Sequence, residues 1–518
     1  MTLCDLPDEL ILETFSYLKS IRSYEPQSTA FKKSREEIAR QRENHVRQLA
    51  LHALCLTSHH LRRIATPTLY ASFIGSTTGY GFDPAILFHR TISSPGCAVG
   101  LNIRLAECLQ YVENRLSDYL GNSLHDAGEY FDLYRLLSPY QELLANIIKL
   151  APNINHLCII SLETDQVSFW NHVLPGVNGA SIPSGLTTVA GHGLRKLRTL
   201  AFQINGEGPG FDEERAWFRR ICSATASVPA LVNLRASSVM SSSSELPAFS
   251  TFQNLQRLEM TRCSLEFEEV AEILSACEGL RHIGCEWAYL DPQATPVSTI
   301  YPGLLKHADT LETLFWDMRE IGFTPTGSRV LGPLREFTRL ESLTMCETFL
   351  EKYWPYLGTP DQAIPENLVT ILPVNLKSFT FLLRHVGNNH ELDDIFDLHF
   401  FGQDIRTKFP DLKEFSIRAN RDTAPLLKKL FDEADVQFEV INEQRVAFEA
   451  AFRTRNHNQQ GYIAPSYSPT YEETKRLDFL GYQGPPIVRI TGCDSARDTL
   501  CVHNTTSPAV PAQSTSNA

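Results

Sequence analysis

The chain has 518 residues, 43% of them apolar, with a formal charge of −13 at pH 7. At about 150 residues per domain, that length predicts two or three units and excludes one ordinary core. The negative balance argues against a general nucleic-acid binder, which needs a basic surface, and leaves room for a local basic patch. From the N-terminus, Leu6, Leu10, Ile11, Phe15 and Leu18 fall on one face at helical spacing, with Asp5 placed to cap and Pro7 suited to a first turn. A second amphipathic run carries Leu51, Leu54, Cys55, Leu61 and Ile64, followed by Pro67, Leu69 and Tyr70. Between them Lys19–Gln48 is charged, and opposite charges three and four apart, such as Glu43 and Arg47, predict an exposed helix from about Ser34. That insert reads as a solvated extension of the following helix. Two short helices cannot bury such apolar faces alone, so they need each other and a partner.

Residues Gly75–Gly100 are rich in Gly, Ser, Thr and Pro and read as a connector with one ordered piece at Ile86–Phe88. Leu101–Leu150 carries helical stripes, one of Leu105, Leu109, Val112 and Leu116, another from Leu133 to Ile148 broken at Ser138-Pro139. From Asn153 onward a motif of the form Leu-x-x-Leu-x-apolar recurs nine times, its central residues Leu157, Leu200, Leu234, Leu258, Ile283, Leu314, Leu343, Phe379 and Phe415. Each copy ends in period-two alternation, the mark of a short half-buried strand. Between copies the pattern turns helical, as at Phe267–Cys277, around Leu304, Leu305 and Ala308, and at Phe400, Ile405 and Phe409. Val436–Ile441 reads as a last edge strand or cap and Glu443–Arg453 as a helix. The polar stretch after Thr454 is expected to be largely disordered, with a brief strand possible in composition at Ile487–Ile490.

Two resemblances organise these elements. The start Leu6-Pro7-Asp8-Glu9-Leu10, closed by Phe15 and Leu18, and the run Leu54-Cys55-Leu56-Thr57-Ser58-His59-His60-Leu61-Arg62-Arg63-Ile64-Ala65, with Thr68-Leu69-Tyr70 as its exit, resemble an F-box. Leu61 stands where that family has an aromatic, His59 where it has a basic residue, and the charged insert where it has a short turn. The strand-plus-helix units resemble the degenerate leucine-rich repeats found behind F-boxes, without the regular asparagine of the repeat consensus. The expected fold is therefore α/β: an all-α F-box over residues 1–73, a helical linker over 74–150, an irregular leucine-rich-repeat solenoid over 151–442 with parallel strands on its concave face, and a helix then a disordered tail over 443–518.

The chemistry of catalysis has no counterpart among the motifs: there is no GxSxG, Walker, HExxH or kinase signature. Gly206–Gly210 reads as a surface loop, and Ser241–Ser244 fits a phosphorylation target and a flexible loop equally well. Cys55, His59 and His60 lack the second ligand pair that a closed zinc site requires. The twelve cysteines show no CxxC pairing and no secretory signal or apolar span is present, which points to a reducing compartment, cytoplasm or nucleus. The resemblance implies a non-enzymatic adaptor of an SCF-type ubiquitin ligase, without cofactor. Its F-box would dock on Skp1, and through it on cullin, and its repeats would hold a protein substrate, with no nucleic acid and no membrane involved. It places Leu6, Pro7, Leu10, Ile11, Phe15, Leu18, Leu54, Leu56 and Leu61 toward Skp1, some of them instead holding the helices together. Strand alternation turns Arg235, Arg257, Glu259, His282, Glu286, Asp317, Glu414 and Arg418 outward as candidate substrate contacts. The alternative reading is a repeat scaffold that binds a partner without any ligase role.

Overall fold

The recurring motif governs the structure, a computed structural model that describes residues 6–442 apart from 23–33, 77–81, 95–103, 116–129, 163–168, 174–193, 206–216, 238, 242–247, 288–289, 294, 320, 324–330, 347–367, 384–395 and 420–422. Helices α1 (Asp8–Ser16), α2 (Ser34–Thr57) and α3 (His59–Leu69) lead into strand β1 (Ser72–Ser76). Next come α4 (Phe82–Ser93), α5 (Leu105–Cys108), β2 (Tyr111–Arg115), α6 (Tyr130–Leu150), β3 (His156–Leu162), α7 (Phe169–Val173), β4 (Thr199–Asn205), α8 (Trp217–Ala226) and β5 (Asn233–Ser237). The chain continues through β6 (Arg257–Cys263), α9 (Phe267–Ser275), β7 (His282–Trp287), β8 (Leu290–Gln293), α10 (Tyr301–Leu305), β9 (Thr313–Asp317), β10 (Ile321–Phe323) and β11 (Ser342–Cys346). It ends in α11 (Leu368–Ile371), β12 (Ser378–Leu382), α12 (Phe396–Lys408), β13 (Glu414–Ala419), α13 (Pro425–Glu433) and β14 (Gln437–Asn442).

Twelve strands form one sheet in chain order, and every neighbouring pair is parallel; β8 and β10 make a separate parallel pair. Parallel neighbours cannot be joined by a hairpin, so each strand needs a crossover. Helices lie in most of these, but no described residue between β5 and β6 is helical, and between β9 and β11 the only described helical piece is the 3-10 turn Leu334–Glu336. The α/β expectation is met. The nine motif copies become β3, β4, β5, β6, β7, β9, β11, β12 and β13, and the expected edge strand is β14. Their central residues stand in register: Leu157, Leu200, Leu234, Leu258, Ile283, Leu314, Leu343, Phe379, Phe415 and finally Phe438. All ten are buried. The first apolar residue of each copy, from Ile154 to Leu412, is buried just before its strand, beneath the crossover.

One backbone device repeats at the strand starts of the large sheet from β2 to β13. A single carbonyl accepts two successive N–H groups from the next unit: Asn155 O from Arg198 and Thr199, Arg198 O from Val232 and Asn233, Arg281 O from Glu312 and Thr313, Glu341 O from Lys377 and Ser378. The carbonyl's two lone pairs are thus used and no amide at the turn is orphaned.

Three local readings change. Val112 lies in β2, not in a helical stripe with Leu105 and Leu109. The helix stops at Cys108, Leu109 is extended (φ −70, ψ 118), and the N–H groups of Gln110 and Tyr111 both bond Ala71 O. Sheet pairing overrides the helical spacing there. Helix α6 runs unbroken through Ser138 and Pro139, with Pro139 exposed. The stretch from Leu54 to Ala65 is two helices, because Ser58 is extended (φ −156, ψ 157) and its Oγ accepts the Leu61 N–H at 3.1 Å, capping α3. Residues of 74–150 share one hydrophobic core with those of 151–442, which runs from Phe73 to Phe438. The expectations for Glu443 onward and for Gly206–Gly210 and Ser242–Ser244 lie outside the described residues.

Candidate partner-docking surface

The three N-terminal helices have a small core of their own. Ile11 and Phe15 of α1, Leu51 of α2, and Leu61, Ile64 and Ala65 of α3 close on one another, with Leu6, Leu18, Leu54, Cys55 and Leu69 packed against them half-buried. The acidic residues Asp8 and Glu9 occupy the first turn of α1, where the helix dipole favours them. The Asp8 carboxylate also reaches α3, pairing with Arg63 and lying 3.3 Å from His60 Nε2.

This core sorts the nine residues expected to face a partner. Ile11, Phe15 and Leu61 are sealed inside and touch no solvent-side partner; they hold the helices together. Leu6, Leu18 and Leu54 are half-buried at its margin. Pro7, Leu10 and Leu56 are exposed, Leu10 at 53% and Leu56 at 75%. Sequence reasoning missed five further exposed apolar residues in the same N-terminal segment: Leu12, Tyr17, Ile21, Val46 and Leu49.

Helix α2 explains the miss. At about 100° per residue, Asn44, Leu51, Leu54 and Cys55 share one side, which packs inward. Val46, Leu49, Ala53 and Leu56 share the opposite side, and all four are exposed. Their spacing of three, four and three is itself a helical stripe. It was hidden because the same helix carries a second apolar stripe and a charged composition. A helix with two apolar faces has one to spend on its own fold and one left over.

The charged insert is not merely solvated. The side-chain amide of Asn44, buried, bonds Ile21 on both sides: its Oδ1 accepts the Ile21 N–H at 2.6 Å and its Nδ2 donates to Ile21 O at 3.0 Å. Arg47 Nη1 donates to Lys19 O at 2.8 Å. Arg40 donates to Ile21 O at 2.7 Å and pairs with Glu113 of β2 at 2.5 Å. Glu113 is fully buried, and Tyr111 Oη also donates to it. Burial first, and then the neighbouring Glu113 charge, hold the Tyr111 phenol well above its usual range, so it stays a donor. Arg22 lies over the Tyr111 ring, and Ser20 and Ser72 hydroxyls meet at 2.6 Å. Helix α2 is thereby fastened to the first strands of the sheet while its outer stripe faces solvent.

The sheet residues expected to contact a substrate fall in outward rows. Arg235, Arg257, Glu259, His282, Glu286 and Asp317 lie on the adjoining strands β5, β6, β7 and β9, whereas Glu414 and Arg418 lie on β13, three strands further on. The first group is largely occupied with itself. Glu259 receives Arg235 at 3.2 Å and Arg257 at 2.8 Å. Asp317 is buried and takes two charge-assisted bonds from the buried Arg319, at 2.9 and 2.7 Å. His282 and Glu286 are half-buried; burial, followed by Arg257, pushes the His282 pKa down. Glu414 is exposed and Arg418 half-buried.

Cys55 and the two histidines do not converge: Cys55 Sγ is 3.7 Å from Thr66 Oγ1, and His60 faces Asp8. Among the described residues no group of three or more His, Cys, Asp or Glu could hold a metal ion, and no helix is long and apolar enough to cross a membrane. No family model matches the chain, and no curated protein matches its sequence.

Proposed function

We propose that the chain is a substrate-recognition adaptor of an SCF-type ubiquitin ligase, with residues 1–73 acting as an F-box that docks on Skp1 and the parallel sheet acting as a leucine-rich-repeat solenoid that holds the protein to be modified. The observation that carries this reading is the outer apolar face of the N-terminal helices. Leu10 and Tyr17 of the first helical segment and Val46, Leu49 and Leu56 of α2 stay in water although the module has its own closed core. Covering each such side chain on a partner gains roughly 1.5–3 kcal/mol. The sequence resemblance to an F-box supplies Skp1 as that partner. The chain would perform no chemistry; it would raise the local concentration of a substrate beside a loaded conjugating enzyme, in the cytoplasm or nucleus.

The test is recovery of Skp1 on full-length chain carrying Leu10→Asp and Leu56→Asp. The reading expects Skp1 with the wild type, its loss with the double variant, and an unchanged thermal melt, because neither residue belongs to the closed core. Absence of Skp1 from the wild-type chain overturns the adaptor role.

A further inference from the structure

The edge of the sheet where the strands begin carries a repeating charge pattern. The residue just before each strand occupies equivalent positions: Arg281, Glu312, Glu341, Lys377 and Lys413 in successive units. In the second half of the sheet two ion pairs within the chain partly neutralise this edge. Arg281 pairs with Glu312 of the next unit, and Lys377 with Glu341 of the preceding one, at 2.7 Å. Arg281 holds the Glu312 carboxyl below its usual range. Two of the three cations there, Arg281 and Lys377, meet a carboxylate supplied by a neighbour, whereas Lys413, between Lys377 and Gln437, has none among the described residues.

The first half breaks the pattern. Arg198 occupies the same position before β4, and its neighbours there are Asn155 and Val232, neither of them acidic. Arg195 and Lys196, on the short turn Leu194–Lys196, add two more exposed cations. These three line an open cleft of about 530 Å³ together with Gln110, Asn153 and Asn155, and among the described residues none lining it is acidic. Lys196 Nζ donates to Asn153 Oδ1 at 2.7 Å, which orients it without neutralising it. Among the described residues, neither Arg195 nor Arg198 has a carboxylate at ion-pair distance. Among the described residues, Asn155 Oδ1, buried at the cleft wall, has no hydrogen-bond partner.

We infer that this cleft is a docking site for an acidic, Asp/Glu-rich segment of a partner protein. The partner supplies the carboxylates that the chain supplies to itself further along the same edge. Two arginine forks match carboxylates bidentately, and the Gln and Asn amides suit a peptide backbone. Among the described residues the lining has no aromatic ring on which a base could stack, which disfavours single-stranded nucleic acid. The cleft is separate from the apolar face of α1 and α2 and does not depend on what docks there.

The probe is a fluorescein-labelled twelve-residue peptide of alternating Glu, Asp, Gly and Ser, titrated onto the full-length chain. Its Gln/Asn counterpart and a twelve-nucleotide single strand are the comparators. The acidic peptide binds, the neutral one does not, and affinity falls with added salt. Arg195→Gln with Arg198→Gln weakens binding at least about tenfold, the scale of one lost charge-assisted bond. Lys377→Gln, on the same edge but already paired, leaves it unchanged. A thermal melt confirms that the double variant is folded, and Lys196→Gln serves as the second variant if it is not. Equal binding by wild type and double variant overturns the proposal. So does an oligonucleotide that binds as tightly as the peptide and is lost with the same substitutions. Loss of Skp1 recovery in the Leu10→Asp, Leu56→Asp chain leaves peptide binding intact, so the two readings fail separately.

Discussion

His307 is fully buried between two backbone groups: its Nδ1 accepts the Leu280 N–H at 3.3 Å and its Nε2–H donates to Leu274 O at 3.1 Å. That geometry uses the neutral ring, since a proton on Nδ1 would set two donors against each other. Burial is the main cause that pushes the His307 pKa below its usual value; the bond to Leu274 opposes it and Lys306 adds to it. The unfolded chain therefore takes up a proton before the folded one does. Stability from this group is complete above about pH 6.5 and is lost as pH falls below it. Thermal melts between neutral pH and pH 5 should show the wild type losing stability on acidification. His307→Gln should lower stability at neutral pH by about 1–3 kcal/mol and flatten that slope. Parallel slopes in the two proteins would reject the assignment.

At the scale of elements, α1 separates residues that hold the fold from residues that do not. Phe15→Ala opens the small core of the N-terminal helices and should cost about 3–5 kcal/mol there, seen as faster amide exchange across α1 and α3. Leu10→Ala, on the outer side, should stay within about 0.5 kcal/mol. Helix α2 adds a second test. Arg40→Ala leaves the buried Glu113 without its guanidinium, and about 3 kcal/mol should be lost, near the low end for a broken buried pair because Tyr111 still donates. Denaturant titration of Arg40→Ala beside Arg40→Ala with Glu113→Gln checks this, with the double variant the more stable. Spacing alone predicted α1, the helix from Ser34 and the inward stripe of α2. It did not reveal the outer stripe Val46, Leu49, Ala53 and Leu56, or the break at Ser58. A periodicity is blind to which of two apolar faces meets the rest of the chain, and a serine inside a helical pattern caps only when the backbone turns there.

At the scale of the whole molecule, the ten-residue apolar row from Leu157 to Phe438 is the spine of the sheet. Leu258→Ala, with a packed strand on either side, should cost about 2–5 kcal/mol. Phe438→Ala, on the terminal strand β14 with one strand neighbour, should be milder than a buried Phe at the centre and should chiefly free α13 and β14. Denaturant unfolding followed by fluorescence, paired with amide exchange, separates global loss from fraying of one end. If Leu258→Ala and Phe438→Ala fray the same end, the sheet does not share its load as its register implies.

The nine strands and their inward residues were legible in the sequence because a three-residue turn and period-two alternation repeat wherever a strand must bury one face. The charge chemistry was not. Arg235, Arg257 and Glu259 read as solvent-facing contacts, yet parallel pairing sets Arg235 of β5 beside Glu259 of β6, which also takes Arg257 from two residues back on its own strand. β1 and β2 also escaped the pattern, since their place in the sheet comes from backbone bonds to neighbours rather than from side-chain spacing. Local periodicity determined which residues turn inward. Only tertiary register decided which outward charges are satisfied within the chain and which, like Arg195 and Arg198, are left facing solvent, because an ion pair depends on what the adjacent strand brings to the same height.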